Sequence, residues 1–241
     1  MMHGTAATVV LLRDSADGLQ VLLLERPRHR GSFAGAWVFP GGLVDPQDAD
    51  GANASGGGNA SGADADDDVE LAAARRAGVR ETAEETGLAL AAPDLVRLSC
   101  WVPPPEAPRR YKTEFFLAKA PAGEVVLSPD EHVASVWLTP AEAFRRQREG
   151  TMDLVPPTWV TLHGLLRHNT VAEALAAAAA AVPETFATRQ LSGREPLVMV
   201  WAGDAEYPDE AVPAGTARPS DVARRHRLVL GTGGWSYQRS R

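Results

Sequence analysis

The chain reads as an α/β (α+β) protein, and three observations predict it. β-Branched and aliphatic runs at 6–12 and 19–24 flank the turn cluster Arg13-Asp14-Ser15-Ala16-Asp17-Gly18, so strands open the chain. A long helix-forming stretch ends at Thr86 and is stopped by Gly87, the residue type that closes a helix in a left-handed conformation. Beyond it, strand-like and helix-like segments alternate nearly to the C-terminus.

Taken in order, 6–12 and 19–24 are expected to pair across their turn. Arg26, Arg28 and Arg30 follow in Arg-Pro-Arg-His-Arg-Gly, which reads either as a solvated loop or as a phosphate-facing edge, since guanidinium forks match phosphate oxygens. Residues 34–39 form a third strand signal, and Gly41-Gly42 let the backbone turn tightly and approach a ligand. The stretch 45–68 is Gly, Ala, Asn, Ser and Asp with almost no large apolar residue. It buries too little to offset ordering entropy, so a flexible insertion with solvated acids is expected. Asp67-x-x-Glu70 has the form of a capping box and predicts a helix from near Val69 to Thr86, with Leu71, Ala74, Val79 and Ala83 facing a sheet.

After that helix, 96–102 and 111–118 read as strands, with Pro103-Pro104-Pro105 expected to prevent regular pairing between them. Arg109 and Arg110 enter the second of these strands as phosphate contacts or as surface cations, while Phe115 and Phe116 suit a core. A strand over 133–138 leads to Thr139-Pro140, a cap and first-turn pair that predicts a helix to about Arg148. Pro156-Pro157-Thr158 opens another, with Trp159, Leu162, Leu165 and Leu166 on its apolar face, reaching His168. His163 and His168 lack partners at ligand spacing and read as packing or surface residues. The alanine run 172–181 is a strong helix former, and 197–201 and 227–230 read as late strands.

Composition bounds the function. At 241 residues with 44% hydrophobic content the chain buries a sizeable core, and one domain spanning 1–241 is expected, with the 45–68 insertion and a 156–241 extension packed on it. A net charge of −7 argues against a general nucleic-acid or membrane-surface binder. The single Cys100 excludes an internal disulfide and fits a small buried residue in a reducing compartment. The N-terminus carries no targeting signal and no apolar run is long enough to span a bilayer, which makes the cytoplasm the expected location.

The chemistry gathers in Arg80-Glu81-Thr82-Ala83-Glu84-Glu85-Thr86-Gly87-Leu88. Glu81, Glu84 and Glu85 stand at i, i+3 and i+4, so on a helix their carboxylates share one face. Either this is a solvated acidic surface or it is a site for a hard divalent cation shared with a substrate phosphate. Together with the upstream Phe39-Pro40-Gly41-Gly42, the stretch resembles the signature of the Nudix hydrolases, which cleave diphosphates joined to another moiety. The resemblance implies an α/β/α sandwich with a mixed sheet. It also implies Mg²⁺ or Mn²⁺ as cofactor and a small-molecule diphosphate as substrate. Glu84, Glu85 and the carbonyl of Gly42 would be metal ligands, Glu81 a ligand or base, Arg80 the residue that orients the acids, and Glu131 a competing base. The substrate's phosphates would meet Arg26, Arg28, Arg109 and Arg110. Two departures stand out: the position of the family's first glutamate is Ala72, with Glu70 the nearest acid, and the run from Gly42 to Arg80 is much longer than usual.

Outer segments, among them Trp137-Leu138-Thr139-Pro140, Pro156-Pro157-Thr158 and Gly203-Asp204-x-x-Tyr207-Pro208 with Arg225-His226-Arg227, resemble the long branch that includes the peroxisomal acyl-CoA diphosphatases. This implies CoA or acyl-CoA as substrate, with ADP-ribose, NADH and dinucleoside polyphosphates as alternatives and a non-catalytic nucleotide sensor as the alternative of another class. The extension beyond residue 156 would shape the pocket or form a homodimer contact.

Overall fold

The computed structural model describes residues 1–29, 33–50, 63–128, 131–208 and 224–240. Strands β1 (Gly4–Ser15) and β2 (Gly18–Glu25) form the expected hairpin, with Leu12 opposite Val21 and Ser15 opposite Gly18. β3 (Ala36–Val38) runs antiparallel to β2, and β4 (Gly41–Leu43) lies antiparallel to the start of β1. Helix α1 (Pro46–Asp50) and helix α2 (Ala63–Thr86) follow, then β5 (Val96–Val102), β6 (Tyr111–Lys119), β7 (Ala134–Leu138), α3 (Pro140–Arg148) and β8 (Asp153–Leu154). Among the described residues the main sheet runs β8-β3-β2-β1-β6-β5 and is completed by β9 (Glu184–Ala187) beside β5, with β4 also on β1 and β7 on β2. It is mixed, because β1–β6, β3–β8 and β5–β9 pair in parallel and the remaining pairs are antiparallel.

β1 is apolar at consecutive positions because both faces of the sheet are covered. Val9 and Leu11 pack with Ala74, Ala77 and Phe116 beneath α2. Val10 and Leu12 face the opposite core, where α3, α4 (Pro156–Leu165) and α5 (Val171–Ala180) supply Phe144, Trp159, Leu162, Val171 and Ala174. Thr139 caps α3 through its Oγ1, which accepts from the Glu142 amide at 3.2 Å, and Thr170 does the same for α5 with Glu173. The remaining strands, β10 (Arg189–Gln190), β11 (Leu197–Val200), β12 (His226–Gly231) and β13 (Gly234–Arg239), form a second antiparallel sheet in that order. No described helix is long and apolar enough to cross a membrane.

Several expectations are corrected. The insertion is ordered at both ends: residues 46–50 are α1, and α2 starts at Ala63, while 51–62 lie outside the described residues. Asp67 therefore sits inside α2, and Glu70 caps nothing; its carboxylate accepts from the Thr5 hydroxyl and, at 3.0 Å, from Lys112 Nζ. The face of α2 against the sheet is centred on Ala73, Ala74, Ala77, Gly78 and Thr82, with the expected Leu71 and Val79 packed at its edges and Ala83, against expectation, exposed. A Cβ at Gly78 would press on Val9 at 3.0 Å, which shows how near the helix lies to β1. The three prolines occupy the loop after β5 without preventing pairing, since β5 and β6 are antiparallel with a bulge between Arg97 and Ser99. Leu166 caps α4 and is 47% exposed. Cys100 is buried as expected, and burial pushes its thiol up to about 12.

Candidate active site

The sheet-facing stripe of α2 explains why acids are buried here. Ala74, Ala77 and Gly78 recur at three- and four-residue steps, and the same rows continue to Glu81, Thr82 and Glu85. Small residues bring the helix close to β1, so the carboxylates at its end are pressed toward the backbone of β4. Glu85 is 4% exposed, and its Oε2 accepts from the Gly41 amide at 2.8 Å. Gly87 then ends the helix with φ +71°, its amide bonded to the Ala83 carbonyl at 2.9 Å.

β4 is made of glycine where it meets the acids because nothing larger fits. Gly41 and Gly42 lie opposite Thr8 and Ala7 of β1. A Cβ on Gly41 would run into the Ala7 carbonyl, and one on Gly42 would land in the Glu81 carboxylate.

Arg80 ties the cluster together. Its Nη1 donates to Glu81 Oε1 at 2.9 Å and to Glu84 Oε2 at 3.0 Å, and its Nη2 donates to the Leu43 carbonyl at 3.0 Å and to Asp48 Oδ2 at 2.9 Å. Donating hydrogen bonds to Asp48, then to Glu81, raises the guanidinium's pKa against its partial burial. Asp48 is 5% exposed, and although burial pulls its pKa up, the bonds from Arg80 and from the Asp45 amide win and hold it below the usual carboxylate range. The expectation that the acids of the insertion are solvated is thus wrong for Asp48. The readable signal was Asp45-Pro46-Gln47-Asp48, a capping sequence with proline at the first helical position, in which the Asp45 amide donates to Asp48 Oδ2 at 2.9 Å.

The other acids keep less compensation. Burial pushes Glu85 up to about 8 despite the Gly41 bond, with the charges of Glu81 and Glu131 adding to the rise. Glu81, half-buried, is raised by burial and by Glu84 and Glu131, against Arg80. Glu84 is the outer member, its side chain 54% exposed. The segment after β6 completes the wall. Val126 and Ser128 donate to the Thr86 and Glu85 carbonyls at 2.8 and 3.2 Å, and Val133 donates to Glu25 at 2.9 Å, so the chain is fastened to α2 and to β2. Between these anchors Glu131 and His132 reach Glu85, and one ligand atom from each of the three lies within 4.8 Å of the others. His132 was not singled out by sequence, because one histidine after two acids has no spacing signature.

Of the arginines, Arg26 acts on the cluster: its charge opposes the rise at Glu85 and lowers the pKa of His132. Arg28 is exposed and donates to Glu25 at 3.3 Å. Arg110 is engaged elsewhere, its guanidinium donating to the Pro103 carbonyl and its amide to His3 Nδ1 at 3.1 Å. Arg109 precedes it on the same loop and is exposed. Arg30 lies outside the described residues. Glu70, the nearest acid to the position of Ala72, is about 16 Å before Glu81 along α2 by helix rise, and it serves Thr5 and Lys112 instead.

The donor set suits a divalent cation. Four carboxylates, from Glu81, Glu84, Glu85 and Glu131, converge with the charges of Arg80 and Arg26, and their oxygens are hard ligands. A buried carboxylate pushed up by burial is also the group that a cation would keep ionised.

The NUDIX domain model matches residues 2–156. The match ends where α4 begins. Among solved structures, the chain is similar to a NUDIX hydrolase from Alicyclobacillus acidocaldarius, at 26% identity and a TM-score of 0.61 over 73% of this chain and 96% of that one. It also resembles a MutT NUDIX hydrolase from Burkholderia pseudomallei, at 24% identity, TM-score 0.45, over 66% and 95% of the two chains. A third is the NUDIX domain of Shewanella oneidensis NrtR in complex with ADP ribose, at 15% identity, TM-score 0.47, over 69% and 88%. Among curated proteins none matches.

Proposed function

The chain belongs to the Nudix family and is an enzyme of it, a diphosphatase, and from that premise we propose that it hydrolyses a P–O–P linkage in a nucleoside diphosphate derivative with the help of Mg²⁺ or Mn²⁺. One observation carries the reading: Glu81, Glu84 and Glu85 converge beside the glycine strand β4, the first two held by Arg80 and the third by the Gly41 amide. Glu84 and Glu85 would hold the cation, with Gly42 offering its carbonyl. When bound, the ion would neutralise diphosphate oxygens and make water a better nucleophile. Glu81 would take a proton from the attacking water, and burial raises its pKa above the usual carboxylate value. Arg80 positions Glu81 and Glu84 and is itself fixed by Asp48 and Leu43. Arg26 is the arginine best placed to meet a substrate phosphate.

The finer reading is CoA or an acyl-CoA. Its support is the resemblance of the outer segments, and several of these do structural work: Thr139 caps α3, and Asp204 is bonded by Arg227 and His226. Arg28 and Arg109 are the exposed cations left to read the 3′-phosphate of CoA.

The test is turnover of a panel of diphosphates with and without EDTA. Metal-dependent hydrolysis is expected, lowered roughly a hundredfold or more in Glu85→Gln with the fold intact. Metal-tightened binding without product would replace the enzyme with a sensor. Within the panel, CoA is expected to exceed 3′-dephospho-CoA in kcat/KM by about 1.5–3 kcal/mol of transition-state binding. Equal rates for the two, or faster turnover of ADP-ribose, rule out CoA and leave the diphosphatase chemistry standing.

A further inference from the structure

His132 stands out among the described side chains. It is 4% exposed, yet neither Nδ1 nor Nε2 has a hydrogen-bond partner, and the nearest carboxylate oxygen to Nε2, Glu85 Oε1, is 3.8 Å away, too far for a hydrogen bond. A buried polar group without a partner costs about 1–3 kcal/mol, so its position calls for an explanation. Its placement is firm. The His132 amide donates to the Ser128 carbonyl at 3.2 Å, the Ser128 amide to the Glu85 carbonyl at 3.2 Å, and Val133 is bonded to β2. The ring is thus carried by the backbone that closes the end of α2, and a ligand atom of Glu131 and one of Glu85 lie within 4.8 Å of it and of each other.

A buried imidazole with both ring nitrogens unpartnered, beside two carboxylates, is a ligand set. We infer that His132 is a nitrogen ligand, with Glu85 and Glu131, for one cation of this site, and that this mixed nitrogen and oxygen set favours a first-row transition dication such as Mn²⁺ or Co²⁺ over Mg²⁺. The physical reason is ligand preference: Mg²⁺ is satisfied by oxygen and keeps its waters, whereas affinity for imidazole rises along the first-row series. The inference rests on the diphosphatase reading for the presence of a cation, but it concerns a residue that reading does not use.

The experiment titrates metal-free protein with Mn²⁺, Co²⁺ and Mg²⁺ separately by calorimetry, and examines the Mn²⁺ form by electron spin echo spectroscopy for coupling to a ligand nitrogen. Wild type should show the nitrogen coupling, and His132→Gln should lose it. Mn²⁺ and Co²⁺ should bind the variant at least about tenfold more weakly, while Mg²⁺ changes less than about twofold. Thermal unfolding checks that the variant is folded; if it is not, the wild-type nitrogen signal decides alone. Absence of that signal, or an equal loss for all three cations in a folded variant, overturns the inference. Metal-dependent hydrolysis surviving without nitrogen coupling removes His132 and spares the diphosphatase reading, while nitrogen coupling in a protein that cleaves no diphosphate does the reverse.

Discussion

Gly42 shows how little room the acids have. Any Cβ there would occupy the space of the Glu81 carboxylate, so the glycine acts by leaving a side chain out. Gly42→Ala is expected to move Glu81 by about the width of a methyl group and to break its bond with Arg80. A displacement of that size at a reacting group costs on the order of a hundredfold in rate. The expected result is a fall in kcat with the thermal midpoint nearly kept, because the clash is at the rim of the sheet and Glu81 can swing outward. A kcat within twofold of wild type would remove Glu81 from the machinery. Asp48 works differently, as the buried carboxylate that keeps Arg80 pointed at the acids.

At the scale of elements, α1 and α2 behave as one unit although 51–62 separate them in sequence. Arg80 bonds Asp48 and the Leu43 carbonyl, and Arg76 bonds the Asp48 carbonyl, so two turns of α2 grip α1. The composition of 51–62 carries no apolar side chain able to anchor it, and loop closure changes by about 0.6 kcal/mol per halving of length. Shortening this stretch by half should therefore leave the thermal midpoint and kcat almost unaltered. Extending the deletion back through 46–50 should cost both, because Arg80 loses its buried partner. Denaturant unfolding of the two deletions, side by side with turnover, separates the dispensable part from the required one; equal effects would contradict the assignment of Asp48.

For the whole molecule, what matters is how the chain beyond α4 is attached. Trp101 of β5 stacks on Phe186 of β9 with centroids 4.1 Å apart, and Trp201, after β11, meets both edge-on. One aromatic group thus joins the main sheet to the second. Nearby, Asp204 takes Arg227 Nε at 2.7 Å and the amides of His226 and Glu206 at 2.8 and 2.9 Å. Burial raises the Asp204 pKa, but Arg227 and the two amides outweigh it and bring it below 3.8. Its stabilisation is therefore full above 3.8 and lost as pH falls through the lower folded value. Asp204→Asn should cost about 2–3 kcal/mol at neutral pH, and the gap to wild type should close only in acid below 3.8. Urea unfolding at neutral pH and in strong acid measures both; a gap that persists in acid would assign the loss to packing rather than charge.

Much of the molecule is legible in sequence because its signals are local. Strand runs such as 6–12, the Thr139-Pro140 helix start, the Gly87 stop and the spacing of Glu81, Glu84 and Glu85 are each set by covalent geometry within a few residues, and all of them stand in the structure. The acidic motif, with Gly41-Gly42, also carries the family. What sequence could not decide depends on which residues meet across long separations. Composition makes Asp48 look like every other acid of a Gly-Asp-rich stretch, and only the approach of α2 turns it into a buried partner of Arg80. The same approach, made possible by Ala74, Ala77 and Gly78, rotates the acids toward the sheet and desolvates Glu85. His132 becomes a candidate ligand because backbone bonds from Ser128 and Val133 carry it to the end of that helix. Arginines equal in sequence become unequal in place, Arg26 beside the acids and Arg110 held by a proline carbonyl, because electrostatics and coordination depend on distance through space, which a linear pattern does not encode.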